Sequence, residues 1–440
     1  MTMIPEMRPD FNHKVRFDFE GGDLSSNSGL ILLAEFMDKL GVPELLRQHF
    51  KTKDTAVRVH KDHENLLQSL LQIFCGYPRD DCADHLTREP LFGAILHKDT
   101  LASQPTMSRF YNRTDEETVE QLNEIIRLLR EKVYRIRRPT FILFDLDSTL
   151  LPTYGHQEGA GFNAHYAALG YHPLVCYDAL TRDPIRVELR KGSEYCGKDA
   201  ADFMRPIFEE YRRKYPGVML YFRGDSGFAT PELYDLCEEF GVRYVIRLKQ
   251  NPRLSGLGKY LENILLERAH GDYSRHDTAY GQFCYQAASW SCARRVVCKM
   301  DRPSGQFSCE PMYIVTNIPE ENLPIKRVIA LYCNRGAMEN FIKESKNGFF
   351  FGTVSSSSMI VNSNRLLIHM LAHCIFNWFR RLTLPAEMAN MTVDTIRLHL
   401  LKIASRVVRS GRYLHFRLCS SCPARQAFML TFARIQSLPL

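Results

Sequence analysis

The stretch FILFDLDST, residues 141–149, constrains the fold more than any other part of the sequence. It begins as an unbroken apolar run and ends in acidic residues, which is typical of a strand buried on both faces of a sheet. Asp145 and Asp147 stand at its carboxyl end, and side chains alternate along a strand, so both point to one face. The pattern predicts a buried strand that carries one or both carboxylates to the edge of a sheet.

The residues that follow predict four more strands and two helices. HPLVCYDAL (172–180) and IRVELRK (185–191) are joined by Thr181-Arg182-Asp183-Pro184, a strong turn signal that makes them a hairpin. The remaining elements are a helix over 198–215, a strand over 217–222, a helix over 232–240 and a strand over 242–249. The predicted order is strand, strand, strand, helix, strand, helix, strand, which describes a mixed sheet covered by helices.

Changes in the spacing of apolar residues divide the chain into further regions. Apolar residues at helical spacing predominate before the first strand, whereas short alternating segments such as QFCYQAASW (282–290) indicate a β-rich insertion after the last one. The predicted regions are a mostly helical N-terminal region (1–135), a first part of the core (136–250), the insertion (251–325), a second part of the core (326–390) and a basic, helical C-terminal region (391–440).

Bulk properties indicate a globular protein. The 440 residues are 45% hydrophobic and carry a formal charge of +7, which permits a polyanionic partner without requiring one. The N-terminus lacks an apolar run of signal-peptide length, and the 13 cysteines then favour reduced thiols in a cytoplasmic compartment. Polar residues interrupt the apolar stretch from Met359 to Phe379, which favours a buried helix over a membrane span.

A second acidic position follows the fourth predicted strand. LYFRGDSGF (220–228) places Asp225 just past the strand end, as Asp147 lies at the end of the first. Carboxylates so placed hold hard cations such as Mg²⁺, which prefer oxygen ligands. Two such ions, about 3.5–4 Å apart, activate an attacking oxygen and stabilise the leaving oxygen of a phosphodiester.

The segment LYCNRGAMENFIKESKNGF, residues 331–349, reads as a helix with an unusual polar face. Tyr332, Arg335, Glu339 and Lys346 are spaced by three, four and seven residues, which places them on one face of a helix. A carboxylate, a guanidinium, an ammonium and a phenol together suit a site that binds metal and grips phosphate. The alternative is a solvated helix with an Arg335–Glu339 pair, which leaves Tyr332 and Lys346 unexplained.

The spacing Tyr332-x2-Arg335-x3-Glu339-x6-Lys346 resembles the signature of bacterial insertion-sequence DDE transposases. Asp147-Ser148-Thr149 is similar to the first-aspartate motif of that family and Arg223–Phe228 to its second. The resemblance extends from about residue 15 to 380. It implies an α/β fold with an RNase H-like mixed-sheet core, interrupted by the β-rich insertion and flanked by helical N- and C-terminal regions.

The same resemblance implies an activity and partners. It implies hydrolysis at transposon ends and strand transfer into target DNA, with two Mg²⁺ ions, for which Mn²⁺ substitutes, held by Asp147, Asp225 and Glu339. Tyr332, Arg335 and Lys346 would contact DNA near the scissile phosphate, and the N-terminal helices would read the terminal inverted repeats. The partner is double-stranded DNA, bound by a homodimer, with no membrane involved.

Several positions carry an auxiliary prediction. Asp147 is chosen as the first ligand because a Thr follows it closely, and Asp145 is kept as an additional ligand. The resemblance also implies an aromatic residue in the insertion that stacks on a flipped base, which makes Trp290 a candidate. Arg294 and Arg295 are candidates for contact with the DNA backbone.

Two other functions fit parts of the sequence. FDLDSTL (144–150) also resembles the first motif of haloacid-dehalogenase-type phosphatases, in which Asp145 would be the nucleophile and Asp147 the acid/base. That reading leaves the segment around Glu339 unexplained. A catalytically silent DNA-binding protein descended from a transposase is the second alternative, although all three acidic residues are present.

Overall fold

The computed structural model describes residues 8–439, which form two compact units. The helical unit comprises residues 8–136, 348–353 and 367–439, and the sheet unit comprises residues 137–347 and 354–366. The C-terminal region therefore shares a unit with the N-terminal helices, and residues 367–390 lie outside the sheet unit. Sequence patterns over neighbouring residues do not report such distant pairing.

The N-terminal part of the helical unit is mostly α-helical, as predicted. Gly41 ends the first helix at φ +72°, a left-handed conformation that glycine adopts without steric cost. The elements are β1 (Leu24–Ser25), α1 (Ile31–Leu40), α2 (Val42–His49), α3 (Asp62–Phe74), α4 (Cys82–Leu86), α5 (Pro90–Leu96), α6 (Gln104–Asn112) and α7 (Glu116–Ile136).

The sheet unit begins with the predicted apolar strand. Its first half contains β2 (Phe141–Ser148), β3 (Leu151–Pro152), β4 (Gly161–Asn163), β5 (Ala168–Tyr171), β6 (Leu174–Asp178), β7 (Pro184–Glu188), α8 (Ala200–Lys214), β8 (Met219–Gly224), α9 (Pro231–Glu239) and β9 (Arg243–Leu248). Its second half contains α10 (Pro252–Ala269), β10 (Asp277–Tyr285), β11 (Arg294–Arg302), β12 (Glu310–Thr316), α11 (Ile325–Cys333) and α12 (Gly336–Asn347).

The central sheet has the strand order β10-β11-β12-β9-β8-β2-β6-β7. Strand β2 pairs in parallel with β8 and antiparallel with β6, and β8 pairs in parallel with β9. The predicted hairpin is the antiparallel pair β6–β7. The five strands β7-β6-β2-β8-β9, with helices α8 and α9 between the later ones, form an RNase H-like core and confirm the predicted order.

The region 251–325 is not an insertion separate from the core sheet. The predicted β-rich character is present, and the segment 282–290 forms a strand as far as Tyr285, but β12 pairs antiparallel with β9, so β12, β11 and β10 extend the central sheet. This pairing covers the edge of β9, which would otherwise expose unpaired backbone groups. The region also begins with the unpredicted helix α10, whose amino end is capped by Asn251: its Oδ1 accepts a 3.0 Å hydrogen bond from the Leu254 amide.

The C-terminal part contains α13 (Met359–Thr383), α14 (Val393–Ile396), β13 (Ser405–Ser410), β14 (Tyr413–Leu418) and α15 (Arg425–Gln436). The prediction of a helical region over 391–440 is therefore wrong for residues 405–418, which form a hairpin. The two-residue loop has Gly411 first, at φ +57°, where tight hairpin turns favour glycine. No helix between residues 8 and 439 combines the length and apolarity of a membrane span.

Candidate active site

Asp147 and Asp225 lie at the carboxyl ends of two adjacent parallel strands. Asp147 is the penultimate residue of β2, and Asp225 directly follows β8. Nη2 of Arg335 lies 3.0 Å from Oδ2 of Asp147 and 3.8 Å from Oδ2 of Asp225. The two aspartates predicted from the sequence are therefore together in the structure, and they share one guanidinium group.

The backbone orients both carboxylates. Oδ1 of Asp147 accepts a 2.9 Å hydrogen bond from the amide of Ser148, and Oδ1 of Asp225 accepts one of 2.7 Å from the amide of Gly227. Any Cβ at Gly227 would lie 2.3 Å from Sγ of Cys196 and 3.0 Å from Oδ1 of Asp225, so only glycine fits there. This close approach explains the second glycine of the GDSGF segment, Gly227.

Burial and the neighbouring charges set the electrostatics of Asp147. The pKa of Asp147 is raised, chiefly because burial penalises the charged carboxylate, and the neighbouring charge of Asp225 adds to this effect. The guanidinium of Arg335 opposes it. The site thus concentrates negative charge in a partly dehydrated place, where a cation is strongly favoured.

Asp145 has a different environment from Asp147. Nε and Nη2 of Arg223 donate hydrogen bonds of 2.6 and 2.5 Å to its two carboxylate oxygens. The two side chains are 0% and 2% exposed, and Arg223 also donates to the carbonyl of Leu331. Asp145 is thus engaged in a buried ion pair through both oxygens, and we leave it out of the ligand set proposed below.

The segment 331–349 is not one helix, so the predicted four-residue face does not form. Helix α11 ends at Cys333 and α12 begins at Gly336. Arg335 lies in a tight turn, in which its amide bonds to the Tyr332 carbonyl at 2.9 Å and its carbonyl accepts from the Met338 amide at 2.9 Å. Asn334 and Gly336 have low helix propensity, which accounts for the break.

The break directs the four signature residues to different surroundings. Tyr332 is 8% exposed and packs in a core cluster with Val245, Val297 and Ile314. Lys346 is half-buried, and burial lowers the pKa of its ammonium group. Arg335 alone of the four contacts the aspartates directly.

Glu339 stays outside the aspartate pair. Its side chain is 74% exposed, and one carboxylate oxygen lies 3.3 Å from Nζ of Lys343. Within residues 8–439, no three or more His, Cys, Asp or Glu side chains come together as a metal site. The structure therefore brings Asp147 and Asp225 together but does not add Glu339 to them.

The predicted DNA contacts in region 251–325 are mostly internal. Trp290 is 8% exposed and packs edge-on against Tyr234 and Tyr285. Arg294 is buried and pairs with Asp235 at 2.6 Å and Glu238 at 2.8 Å.

Arg295 completes this internal set. It is half-buried, and it donates hydrogen bonds of 2.8 and 3.0 Å to the carbonyls of Ile318 and Leu323. These contacts stabilise the extended sheet, and we leave Trp290, Arg294 and Arg295 out of the DNA-binding set proposed below.

One residue of the site was missed in the sequence. Tyr166 lies in the turn between β4 and β5, strands of a small sheet of order β3-β5-β4. Its hydroxyl donates a 3.3 Å hydrogen bond to the carbonyl of Ser148, and its ring packs edge-on against His165 and His172. Burial, together with the charges of Asp147 and Asp225, raises the pKa of Tyr166 to about 12.

Local sequence explains how Tyr166 is placed. Oδ1 of Asn163 accepts hydrogen bonds from the amides of His165 and Tyr166 at 3.1 and 3.4 Å, which fixes the turn. Ala167 completes it at φ +49°. The Asn was the available signal, although nothing nearby indicated that the turn faces the aspartates.

The chain was compared with curated protein sequences and with solved structures. No curated protein sequence matches the chain. Among solved structures, the piggyBac transposase synaptic complex with hairpin DNA is 12% identical with a TM-score of 0.37, covering 91% of each chain. The Mos1 transposase paired-end complex with left transposon end is 12% identical with a TM-score of 0.18, covering 50% of this chain and 68% of that one.

The family comparison covers almost the whole sequence. The model described as transposase DDE domain group 1 matches residues 7–440. The chain therefore belongs to this family, and the protein is a DNA transposase of the DDE class.

Proposed function

We propose that the protein cleaves DNA at transposon ends and transfers the freed 3′-hydroxyl groups into target DNA, using Asp147, Asp225 and Glu339 as ligands of two Mg²⁺ ions. The observation that carries the proposal is the meeting of Asp147 and Asp225 beside Arg335, at 3.0 and 3.8 Å from one guanidinium nitrogen. Ligand sites of open α/β sheets lie at the carboxyl ends of the strands, as this pair does.

The chemistry of the donor set fits a divalent ion. DDE transposases use divalent metals, and carboxylate oxygens on neighbouring strand ends suit Mg²⁺, with Mn²⁺ as a substitute. Such ions, when bound, supply activation of the attacking oxygen and stabilisation of the leaving oxygen. The chain itself contributes two oriented, partly buried carboxylates whose ionised forms a cation stabilises.

Glu339 is proposed as the third ligand because of its place in the family signature. Its ion pair with Lys343 is exposed, with side chains 74% and 64% accessible, and such pairs contribute only about 0–1 kcal/mol. The pair is therefore too weak to hold Glu339 in its present orientation. Turning α12 about the break at Asn334–Arg335 would redirect Glu339 towards the aspartates, and we include this movement in the proposal.

Arg335 is proposed to grip the scissile phosphate. Its Nε is buried without a hydrogen-bond partner within residues 8–439, while Nη2 donates to the Leu146 carbonyl at 3.3 Å and faces the aspartates. A planar guanidinium with donors to spare suits bidentate contact with phosphate oxygens. Lys346 would add a second positive charge, and Tyr332 would support Arg335 from the core.

Tyr166 is proposed to stack on the nucleotide next to the scissile phosphate. It is 39% exposed although it lies against the strand that carries Asp147. Aromatic side chains stack on bases with little dependence on sequence. The N-terminal helices would bind the terminal repeats, and a homodimer would bring two ends together.

The phosphatase alternative conflicts with the surroundings of Asp145. A nucleophilic carboxylate needs a free oxygen, whereas both oxygens of Asp145 accept hydrogen bonds from Arg223 in a place with no solvent exposure. Attack would require breaking a buried ion pair. The position of Glu339 outside the aspartate pair is compatible with the silent-regulator alternative, which predicts DNA binding without cleavage.

A cleavage assay tests the proposal. A labelled duplex carrying the ends of the element that encodes the chain should be cut in Mg²⁺ or Mn²⁺ and remain intact in EDTA. Asp225→Asn should bind that duplex as the unmutated protein does and leave it uncut. Hydrolysis of small phosphate esters, abolished by Asp145→Asn alone, would instead establish the phosphatase function.

A further inference from the structure

The C-terminal hairpin presents an exposed face that the active site does not use. The sheet has the order β1-β13-β14, with Arg406 opposite Arg417, Val408 opposite His415 and Ser410 opposite Tyr413. We call Arg406, Tyr413, His415 and Arg417 the basic face. All four are exposed, and Tyr413 is 72% accessible.

The opposite side of the hairpin is apolar and partly buried. Val407 is 7% exposed, and Leu414, Phe416 and Leu418 are half-buried. Because side chains alternate along each strand, this side anchors the hairpin and leaves the basic face to solvent. The hairpin is therefore fixed to its unit, with one side available to a partner.

The charge of the basic face has no internal compensation. Residues 395–440 contain eight Lys and Arg and no Asp or Glu. Within residues 8–439, neither Arg406 nor Arg417 forms an ion pair. These two arginines occupy directly opposite positions, with Cβ atoms about 4.5–5.5 Å apart, an arrangement in which like charges destabilise a sheet.

A bound polyanion would relieve this repulsion. Each strand has six residues, which gives a ribbon about 20 Å long at about 3.3 Å per residue. The major groove of duplex DNA, about 12 Å wide, admits a two-stranded ribbon of this kind. Tyr413 and His415 lie in line with Arg417 along β14, so the face offers hydrogen-bond donors along its length.

We propose that the basic face of the β13–β14 hairpin is a DNA-binding surface that contacts phosphate groups independently of base sequence. The proposal rests on the proposed function in that DNA is the substrate of this protein. It assigns a role to the C-terminal hairpin, which is separate in sequence from the signature residues of the active site. The contacts are to the DNA backbone because guanidinium groups pair with phosphate oxygens through charge-assisted hydrogen bonds.

Binding measurements on the full chain test this surface. The probe is a fluorescein-labelled 30-base-pair duplex of random sequence, titrated in EDTA over a range of salt concentrations. Arg406→Gln and Arg417→Gln should each lower the affinity roughly fivefold at 0.15 M salt and reduce the slope of log K against log salt by about 1. The double variant should reduce that slope by about 2.

Arg409→Gln is the matched control. It removes the same charge from the same hairpin, but from the side that carries Val407, so the slope should change little. Circular dichroism and thermal unfolding establish that the variants are folded. Arg406→Gln should unfold at the same temperature or slightly higher, because it removes the opposed charge.

The outcomes separate this inference from the proposed function. If the unmutated protein binds the duplex and the double variant binds it with the same affinity and slope, the basic face is not a DNA surface. A double variant that keeps DNA binding but changes its oligomeric state in sedimentation would assign the face to an acidic protein surface, and would also overturn the inference. Failure of the unmutated protein to bind any duplex would instead contradict the proposed function.

Discussion

Nη2 of Arg335 lies 3.0 Å from Oδ2 of Asp147, and the two side chains form an ion pair. Arg335 occupies the break between α11 and α12, which sequence periodicity predicts as one helix. The same guanidinium lies 3.8 Å from Asp225. A residue that the family signature assigns to phosphate contact thus lies against the two proposed metal ligands. We therefore expect metal binding and phosphate binding to be coupled through this one side chain.

Replacing Arg335 should change metal binding as well as DNA cleavage. Arg335→Gln removes the positive charge that compensates Asp147 and Asp225, so Mn²⁺ should bind roughly tenfold more tightly, equivalent to about 1.4 kcal/mol. The measurement is the rise in melting temperature with Mn²⁺ concentration, since a ligand of the folded state stabilises it. Arg335→Lys, which keeps the charge, is the control, and an unchanged Mn²⁺ titration for Arg335→Gln would contradict the coupling.

The buried pair of Asp145 and Arg223 should matter for stability. Arg223→Gln leaves a carboxylate with no solvent exposure unpaired, and breaking a buried pair in this way costs about 3–5 kcal/mol. Urea denaturation of Arg223→Gln, Asp145→Asn and the double variant measures this cost. The double variant should recover part of the loss, and a pair of single variants as stable as the unmutated protein would show that the ion pair is dispensable.

The ring of Tyr166 should matter more than its hydroxyl. Stacking on a base contributes about 1–3 kcal/mol, so Tyr166→Ala should slow strand cleavage roughly tenfold to a hundredfold. Tyr166→Phe should remain within a few fold, because the hydrogen bond to Ser148 is long at 3.3 Å. His165→Ala controls for general disturbance of the turn. Equal losses in the Phe and Ala variants would exclude stacking and assign the effect to the hydroxyl.

The helix break can be tested at Gly336. A Cβ at this position meets no atom within 4 Å, and its φ is not in the left-handed region. Gly336→Ala should therefore raise stability by about 0.5–1 kcal/mol through its higher helix propensity. Thermal unfolding measures the change. A destabilised Gly336→Ala protein would mean that the turn at Arg335 requires glycine.

The sequence predicted those features that depend on neighbouring residues. The run ending in Asp147 and the GDSGF segment indicated the strands and both aspartates. Strand burial and turn formation depend on adjacent residues, so a short stretch of sequence is enough to predict them. The order of the five core strands along the chain followed once each strand was identified.

Other features depend on pairing between distant segments. The alternation of polar and apolar residues predicts a strand but does not show which strand it pairs with. The pairing of β12 with the edge of β9 could therefore not be predicted. The pairing of Asp145 with Arg223 could not be predicted from the sequence either. It occupies both oxygens of Asp145 and leaves Asp147 as the proposed metal ligand. The helical spacing of Tyr332 and Glu339 predicted one helix, but the helix breaks before Gly336. Asn334 and Gly336 weaken the helix at this point, and Arg335 gains contacts with two carboxylates there.

The assignment of Glu339 as the third metal ligand is the central claim, and strand cleavage by Glu339→Gln tests it most directly. The assay uses the labelled end duplex with Mg²⁺, beside Lys343→Gln, which frees Glu339 from its ion pair without altering the carboxylate. We predict that Glu339→Gln binds the duplex normally and does not cut it, while Lys343→Gln cuts it. Cleavage by Glu339→Gln at the rate of the unmutated protein would contradict the proposed triad.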